Sequence, residues 1–214
     1  MVVGDKRDIS HTDQHMTQEL TNRDAHKKAC EFVHFFYEAL GTIYDSLLAY
    51  RAITQNPEAF LGIPNHVARS GNENAIRQYD RVFSFQKTPG DLDTIFYVTS
   101  APDIFFRSLP SRQNERYIVN MFIVHVFQVW ECAFRPAVAR LLNIPTKELR
   151  VPIMGDLCKI RNSLLHNGGV ANSDCDRCEV IKDFRHGDKI VITSELLWRI
   201  KEHIADSLNA IGYK

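Results

Sequence analysis

The chain has 214 residues, enough for one domain with a sizeable core, and its 44% hydrophobic content excludes intrinsic disorder as the expected state. Its 26 basic and 26 acidic residues give a net charge of zero, which argues against sequence-blind binding along DNA but leaves a local basic cleft open. The N-terminal residues lack the apolar stretch of a secretory signal, so we expect a cytoplasmic protein with reduced cysteines.

The first half of the chain predicts helices joined by turns. Apolar residues at spacings of three and four indicate a long helix that begins between residues 12 and 24 and stops at Asn56-Pro57. After it, the sequence predicts a helix over residues 72–85 and a turn over 87–93. The short apolar run at 95–98 fits a strand or a helix equally well, and residues 102–111 are expected to be irregular.

The third predicted helix, over residues 112–142, is apolar almost all round near its middle, which is typical of a helix central to the fold. We expect a buried helix rather than a membrane span, because polar residues interrupt its longest apolar stretch. Pro136 is expected to kink the helix or divide it in two, since proline lacks the backbone N–H and clashes with the preceding turn.

The last third of the chain predicts two more helices with a hairpin between them. One helix starts at Pro152 and ends at Asn167-Gly168-Gly169, and the other runs from Ser194 towards Gly212. Residues 179–193 are typical of a β-hairpin with a tight turn at 186–188. The predicted fold is therefore mainly α: an up-and-down helical bundle with one small β-hairpin near the C-terminus. It forms a single domain over 1–214, with residues 1–20 as a candidate flexible segment.

The helix that starts at Pro152 carries the residues best suited to chemistry, Arg161, Asn162 and His166. If Ile153 faces the core, a rotation of about 100° per residue places Arg161 at the edge of the buried stripe and puts Asn162 and His166 on the opposite face. Arg161 and His166 then diverge by about 140°, so a straight helix cannot direct both at one small target. Either His166 swings at the helix end, or two copies of the helix meet in a symmetric dimer.

These residue types fit the cleavage of a phosphodiester bond. A histidine can take the proton from an RNA 2′-hydroxyl or give one to the leaving oxygen. An arginine offers several donors to the phosphate, where negative charge builds up in the transition state, and an asparagine can orient either group. This chemistry requires no metal, and the sequence lacks an obvious carboxylate cluster of the kind that metal-dependent nucleases use.

Each of these residues also has a purely structural interpretation. Arg161 could form an ion pair at the core edge with Glu131 or Asp156. His166 could be a helix C-cap residue favoured by the helix dipole, and Asn162 a solvated helix residue. Glu131 lies in a mostly apolar helix, where a buried carboxylate needs a partner such as Arg161 or Arg135, unless it faces solvent.

Cys175 and Cys178 have the C-x-x-C spacing of half a zinc site. A structural zinc site needs four ligands, and the sequence has no second C-x-x-C pair, although His166 or His186 could complete one. We therefore expect no metal and no cofactor, with metal binding by the cysteine pair left open. A redox pair is not favoured either, because no βαβ pattern surrounds it.

The stretch from Arg161-Asn162 to the helix-ending His166 resembles the R-x(4–6)-H motif of HEPN domains, in which a polar residue often follows the arginine. The resemblance extends from about residue 117 to the C-terminus and is closest to one bacterial branch of that superfamily. It includes Trp130-Glu131, Arg135, Gly155-Asp156 and Gly187-Asp188.

This resemblance implies a helical bundle that usually dimerises. Many members are metal-free endoribonucleases of toxin–antitoxin and phage-defence systems. Carried over to this chain, Arg161 and His166 would be catalytic together with Asn162, and Glu131, Asp156 and Arg135 would support them. The implied partners are RNA, a second copy of the chain and an antitoxin, with no membrane. The alternative is a non-catalytic HEPN-like module that binds a nucleotide or a protein partner.

Overall fold

A computed structural model describes residues 8–86 and 95–212, and over these ranges the chain is mainly helical. The chain divides into two compact units, which we call the first unit (residues 1–40 and 120–214) and the second unit (residues 41–119). A single domain over 1–214 stays a prediction, and so does the up-and-down arrangement of the bundle.

The elements of the described residues follow in this order: α1 (Asp8–Gln55), α2 (Pro57–Leu61), α3 (Asn65–Arg69), α4 (Glu73–Ile76), β1 (Val82–Gln86), β2 (Ile95–Ser100), α5 (Ala101–Ser108), α6 (Gln113–Val129), a π-helical segment (Trp130–Phe134), α7 (Arg135–Leu141), a 3₁₀ turn (Thr146–Glu148), α8 (Pro152–His166), a second 3₁₀ turn (Cys175–Arg177) and α9 (Ser194–Asn209).

Helix α1 begins at Asp8, earlier than predicted, and continues for 48 residues. Residues 8–20 are therefore helical, residues 1–7 lie outside the described residues, and flexibility over 1–20 stays a prediction. The predicted end at Asn56-Pro57 is confirmed, because a proline disfavours helical backbone at the residue before it and Asn56 leaves the helical conformation with φ −133° and ψ 62°.

The second unit has its own small core, in which residues of α2, α4 and α5 pack together; its buried members are Leu61, Ile63, Ile76, Ala101 and Phe105. The helix predicted for residues 72–85 starts correctly, with the Asn72 side chain accepting a bond from Ala75 N–H at 3.2 Å, but it ends after one turn. The prediction that residues 102–111 are irregular is wrong, because α5 forms there with the Ser100 hydroxyl at its N-cap.

The observed two-stranded sheet lies in the second unit rather than near the C-terminus. The undecided run at residues 95–98 belongs to β2, which pairs antiparallel with β1 from Val82 opposite Ser100 onwards. The turn predicted for 87–93 lies outside the described residues. The hairpin predicted for residues 179–193 does not form as strands, and one isolated bridge joins Lys189 to Val170. Backbone N–H groups of 179–181 bond the Asp156 carboxylate instead, so they cannot take part in a ladder.

Pro136 does not divide the third predicted helix, since helical backbone continues from Gln113 to Leu141, but the α-helical hydrogen bonding changes just before the proline. Because the proline ring would clash with the carbonyl four residues earlier, the preceding turn widens into the π-helical segment, and Arg135 N–H donates to the carbonyl of Trp130, five residues back. By length and composition, the continuous helical stretch Gln113–Leu141 is the one in the described ranges that could cross a membrane. The core helix of a soluble protein meets the same criterion, so the cytoplasmic location stays a prediction.

Aromatic packing holds α1 against the π-helical segment in the first unit. The Phe32 ring is fully buried, and its centroid lies 5.2 Å from those of Trp130 and Phe134 in edge-to-face contact. Phe36 packs on Phe122 of α6 at 5.3 Å. Edge-to-face aromatic pairs add to the free energy gained from burial alone, so this cluster anchors the segment that carries Glu131.

Phe32→Ala should lower the free energy of unfolding by about 3–5 kcal/mol, because it removes a fully buried ring and leaves a cavity against two others. Leu20→Ala is the matched control, since Leu20 lies on the same helix with 59% of its surface exposed, and it should change stability by less than about 0.5 kcal/mol. Chemical denaturation followed by circular dichroism measures both. Equal losses for the two variants would contradict this packing.

Candidate functional site

Helix α8 presents two faces, as its sequence predicts. Ile153, Leu157 and Ile160 are buried and attach the helix to the core of the first unit. Asn162 is half-buried and His166 is exposed, as expected for residues on the opposite face. The helix ends where predicted, because Gly168 and Gly169 take positive φ angles of 59° and 78° that side chains disfavour.

Arg161 is held by its neighbour in the sequence rather than by an acidic group. Its Nη1 donates to Asn162 Oδ1 at 2.9 Å, and its Nε is buried without a hydrogen-bond partner. The structural alternative, an ion pair with Glu131 or Asp156, does not occur within the described residues, since those carboxylates bond to Arg135 and Lys159. A buried donor without a partner is unfavourable, so the contacts within one chain do not fully satisfy this guanidinium.

His166 lies in the last turn of α8 and is exposed to solvent. It follows Asn162 by four residues, so both side chains lie on the same side of the helix. The single chain does not bring His166 into contact with Arg161, as the straight-helix geometry predicted.

A cleft of about 510 Å³ opens beside α8, inside the first unit. Its walls come from the π-helical segment, the N-terminal half of α8 and the loop after α8. The lining residues are Phe127, Trp130, Glu131, Arg135, Leu149, Arg150, Val151, Pro152, Met154, Gly155, Cys158, Lys159, Asn162, Asp174, Arg177 and Glu179. This volume lies within the range of about 300–1,000 Å³ that is usual for small-ligand sites.

Of the six predicted site residues, the cleft brings together Asn162, Glu131 and Arg135. Arg161 borders this group through its bond to Asn162, whereas Asp156 and His166 do not line the cleft. Asn162 Nδ2 also faces Cys158 Sγ at 3.9 Å. Cys158 and Asn162 of α8 therefore line the cleft, and Arg161 is linked to them only through its bond to Asn162.

Glu131 pairs with Arg135, one of its two predicted partners. Arg135 Nη1 donates to both carboxylate oxygens at 2.9 and 3.0 Å, and its Nε donates to the Leu149 carbonyl at 3.3 Å. These bonds fix the guanidinium at the cleft wall. The exposed fractions of the two side chains are 41% for Glu131 and 23% for Arg135, so both can contact a ligand.

Asp156 is a structural carboxylate, fully buried beneath the cleft. It accepts hydrogen bonds from the backbone N–H groups of Glu179, Val180 and Ile181 at 2.6–3.0 Å and from Lys159 Nζ at 3.0 Å. Burial by itself raises the pKa of Asp156, but these donors outweigh it, so the pKa of this carboxyl lies below its usual value. The carboxylate thus attaches the loop after α8 to the helix.

The charges of the cleft are nearly balanced. Arg177 pairs with Asp174, and Lys159 with Asp156, so those cations are already engaged. Arg150 is exposed and forms no ion pair within the described part of the chain. The cleft therefore presents a few hydrogen-bond donors in fixed positions rather than a broad cationic surface.

Sequence reasoning missed most of the cleft wall. The missed polar residues are Arg150, Cys158, Lys159, Asp174, Arg177 and Glu179. Two of them, Arg150 and Lys159, belong to the stretch from Arg112 to Arg161, in which eight basic residues outnumber four acidic ones. The three from the loop after α8 had no such signal, because their position depends on the contact of that loop with Asp156.

The C-x-x-C pair is packed into the loop after α8. Cys175 is buried, with Ser163 Oγ 3.4 Å from its sulfur, and burial together with nearby Asp156 raises the pKa of Cys178 to about 12. A zinc ligand must be a thiolate, so this environment disfavours a half-site. Within residues 8–86 and 95–212, no group of three or more His, Cys, Asp or Glu side chains is placed to hold a metal ion.

Comparisons with protein-family models, with curated proteins and with solved structures give no match to this chain.

Asp156→Asn should lower the free energy of unfolding by about 1.5–3 kcal/mol near pH 7, because the amide keeps the shape but not the charge that its donors require. The folded-state pKa is depressed, so the contribution is complete above the unfolded value of about 3.9 and is lost as the pH falls through the folded value.

Denaturant unfolding of both proteins across acidic to neutral pH measures this difference, which should shrink towards low pH. Asp206→Asn, at an exposed carboxylate on α9, serves as the control and should be close to neutral throughout. A difference between wild type and Asp156→Asn that grows as the pH falls would contradict this role.

Proposed function

We propose that this protein is a metal-independent endoribonuclease of a toxin or defence type, in which Arg161 and His166 act on the RNA phosphate. The observation that carries the proposal is the state of Arg161, whose guanidinium is oriented by Asn162, a residue of the cleft wall, and has a buried donor that no group of the described residues satisfies. The exposed His166 lies one helical turn beyond Asn162, where a solvent-accessible RNA strand can reach it.

The proposed reaction uses the RNA 2′-hydroxyl as the nucleophile. A histidine nitrogen takes the hydroxyl proton, the 2′-oxygen bonds to phosphorus, and the bond from phosphorus to the 5′-oxygen breaks. The leaving oxygen receives a proton, and the products are a 2′,3′-cyclic phosphate and a 5′-hydroxyl. Arg161 contributes N–H donors to the phosphate oxygens, where charge accumulates in the transition state, and Asn162 holds the guanidinium in place.

A second copy of the chain completes this site in the proposal. Helix α8 is continuous from Pro152 to His166, so Arg161 and His166 diverge on one chain and do not contact each other. Two α8 helices that meet about a two-fold axis would place His166 of the partner subunit towards the Arg161 of its neighbour. A homodimer, with an antitoxin as a further partner, is therefore part of the proposed function.

The alternative function is a non-catalytic module that binds a nucleotide or a protein partner. A specific observation favours the nucleotide: the cleft has the volume of a small-ligand site, yet neither Arg161 nor His166 lines it. In this alternative, the guanidinium groups of Arg135 and the exposed Arg150 would bind the phosphates of the nucleotide. The alternative predicts that the protein binds a nucleotide and does not cleave RNA.

His166→Ala should reduce RNA cleavage by about 10²–10⁴-fold, because it removes the proposed proton-transfer group. Purified protein is incubated with end-labelled tRNA and mRNA in EDTA, and the cleaved ends are identified. His203→Ala, at an exposed histidine on α9, is the matched control and should cleave like the wild type. Full cleavage by His166→Ala would overturn the catalytic role of this residue.

Arg161→Ala should lower the cleavage rate by about 10²–10³-fold, and Arg161→Lys should restore little of it, because an ammonium cannot replace the planar guanidinium held by Asn162. Arg140→Ala, at an exposed arginine on α7, is the control. Calorimetry with nucleotides on the same proteins tests the alternative. Binding that is lost in Arg135→Ala, without RNA cleavage by wild type, would favour the binding module.

A further inference from the structure

A second cavity lies within the second unit, which contributes no residue to the proposed ribonuclease site. Its volume is about 400 Å³, inside the range of about 300–1,000 Å³ that is usual for small-ligand sites. The end of α1 and helix α3 contribute its polar lining residues, which are Thr54, Gln55, Asn65 and Arg69. Its larger apolar lining residues belong to α2 and to α5 with the residue after it, and they are Pro57, Phe105 and Leu109.

The amide of Asn65 supplies this cavity with an unsatisfied acceptor. Asn65 Nδ2 donates to Asn56 Oδ1 at 3.4 Å, and its backbone N–H donates to Glu58 Oε2 at 3.4 Å. Asn65 Oδ1 is buried and has no hydrogen-bond partner among the described residues. A buried acceptor without a partner is unfavourable, so a donor from a ligand in the cavity would stabilise it. The hydroxyl of Thr54 donates its one hydrogen to the carbonyl of Arg51, so its oxygen can likewise only accept.

Arg69 supplies a positive charge beside this acceptor. It follows Asn65 by four residues on α3, so both side chains lie on the same side of the helix. Arg69 is exposed, and its guanidinium forms no hydrogen bond or ion pair with any residue that the structure describes. Among the described residues that line the cavity, Arg69 is the one that carries a charge. The lining therefore favours a ligand with one negative charge and a nearby hydrogen-bond donor.

Charge and hydrogen bonding distinguish among the anions that an arginine can bind. A phosphate monoester carries about −1.5 to −2 charges near pH 7, more than one guanidinium balances, and its acceptor oxygens would face the acceptors of Asn65 and Thr54. An amino acid has no net charge, and no carboxylate among the described lining residues can pair with its ammonium. A carboxylate that carries a neighbouring hydroxyl matches both the charge and the acceptor.

We propose that the second unit binds an α-hydroxy carboxylate with an apolar side chain. The carboxylate accepts hydrogen bonds from the Arg69 guanidinium, and the hydroxyl donates to Asn65 Oδ1. The apolar side chain of the ligand packs against Phe105 and Leu109, where it is removed from water. Because Asn65 and Arg69 share one side of α3, a ligand with both polar groups at one end fits this lining. The site is independent of the proposed ribonuclease activity.

The test titrates the full-length protein by calorimetry with phenyllactate and with three analogues of the same skeleton. Phenylpropionate lacks the hydroxyl, phenylalanine has an ammonium in its place, and phenyllactamide lacks the negative charge. We expect phenyllactate to bind most tightly. The Kd should rise at least about threefold without the hydroxyl and about tenfold without the charge, because hydrogen bonds to charged groups are the stronger ones. Phenylalanine should also bind more weakly than phenyllactate.

Two variants assign each preference to one residue. Arg69→Gln should remove the preference for phenyllactate over phenyllactamide, and Arg51→Gln, at an exposed arginine of the same unit that does not line the cavity, should leave it unchanged. Asn65→Leu should remove the preference over phenylpropionate and keep the preference over phenyllactamide. A general loss of packing would not abolish one preference and keep the other, and circular dichroism shows whether the variants remain folded.

Three results would overturn the proposal. The first is that phenyllactate does not bind the wild-type protein, and the second is that its affinity is unchanged in Arg69→Gln. The third is that phenylpropionate or phenylalanine binds the wild-type protein as tightly as phenyllactate does.

Discussion

The buried carboxylate of Asp156 is the interaction on which the candidate site depends. It sits inside the first unit without access to water, a position that costs free energy unless every lone pair finds a donor. Three successive backbone N–H groups at residues 179–181 and the ammonium of Lys159 supply those donors. One carboxylate therefore joins α8 to a loop that forms no helix or strand over residues 179–193, and this loop forms one wall of the cleft.

Lys159 extends this arrangement to the surface. Its Nζ donates both to Asp156 and to the carbonyl of Arg177 at 2.8 Å, which places the Asp174–Arg177 pair at the cleft rim. Ser163, also buried, accepts from Asn172 N–H at 3.1 Å and secures the start of the same loop. Side chains of α8 thus replace the cross-strand bonds that a hairpin would have used, and the loop is held by one helix.

The opposite wall depends on a local conflict between Pro136 and the helix that contains it. The π-helical segment before the proline accommodates the missing hydrogen bond, and Glu131 within it and Arg135 directly after it line the cleft. The aromatic ring of Phe32 packs against the same turn and supports it. The Glu131–Arg135 ion pair at the cleft wall therefore takes its position from the helical backbone around Pro136 rather than from a flexible loop.

The sequence by itself determined the features that depend on neighbours along the chain. The 3.6-residue periodicity, Pro152 and the glycines after His166 specified α8, and the rotation per residue separated Arg161 from His166. The π-helical segment before Pro136 is of the same kind, because a proline acts on the turn before it. The HEPN resemblance and the function it implies rest on this local pattern, and the three comparisons neither add to it nor oppose it.

Only the tertiary structure decided the features that depend on partners far along the chain. Residues 179–193 alternate like a hairpin, yet Asp156, more than 20 positions earlier, takes the N–H groups that a ladder needs. The partner of Glu131, the orphan Nε of Arg161 and the contact of His26 with Ile211 are likewise set by packing. The local sequence pattern determines which face of a helix or strand is apolar. A buried polar group, in contrast, forms hydrogen bonds with the groups that the fold brings close to it, and the spacing of residues in the sequence does not specify those partners.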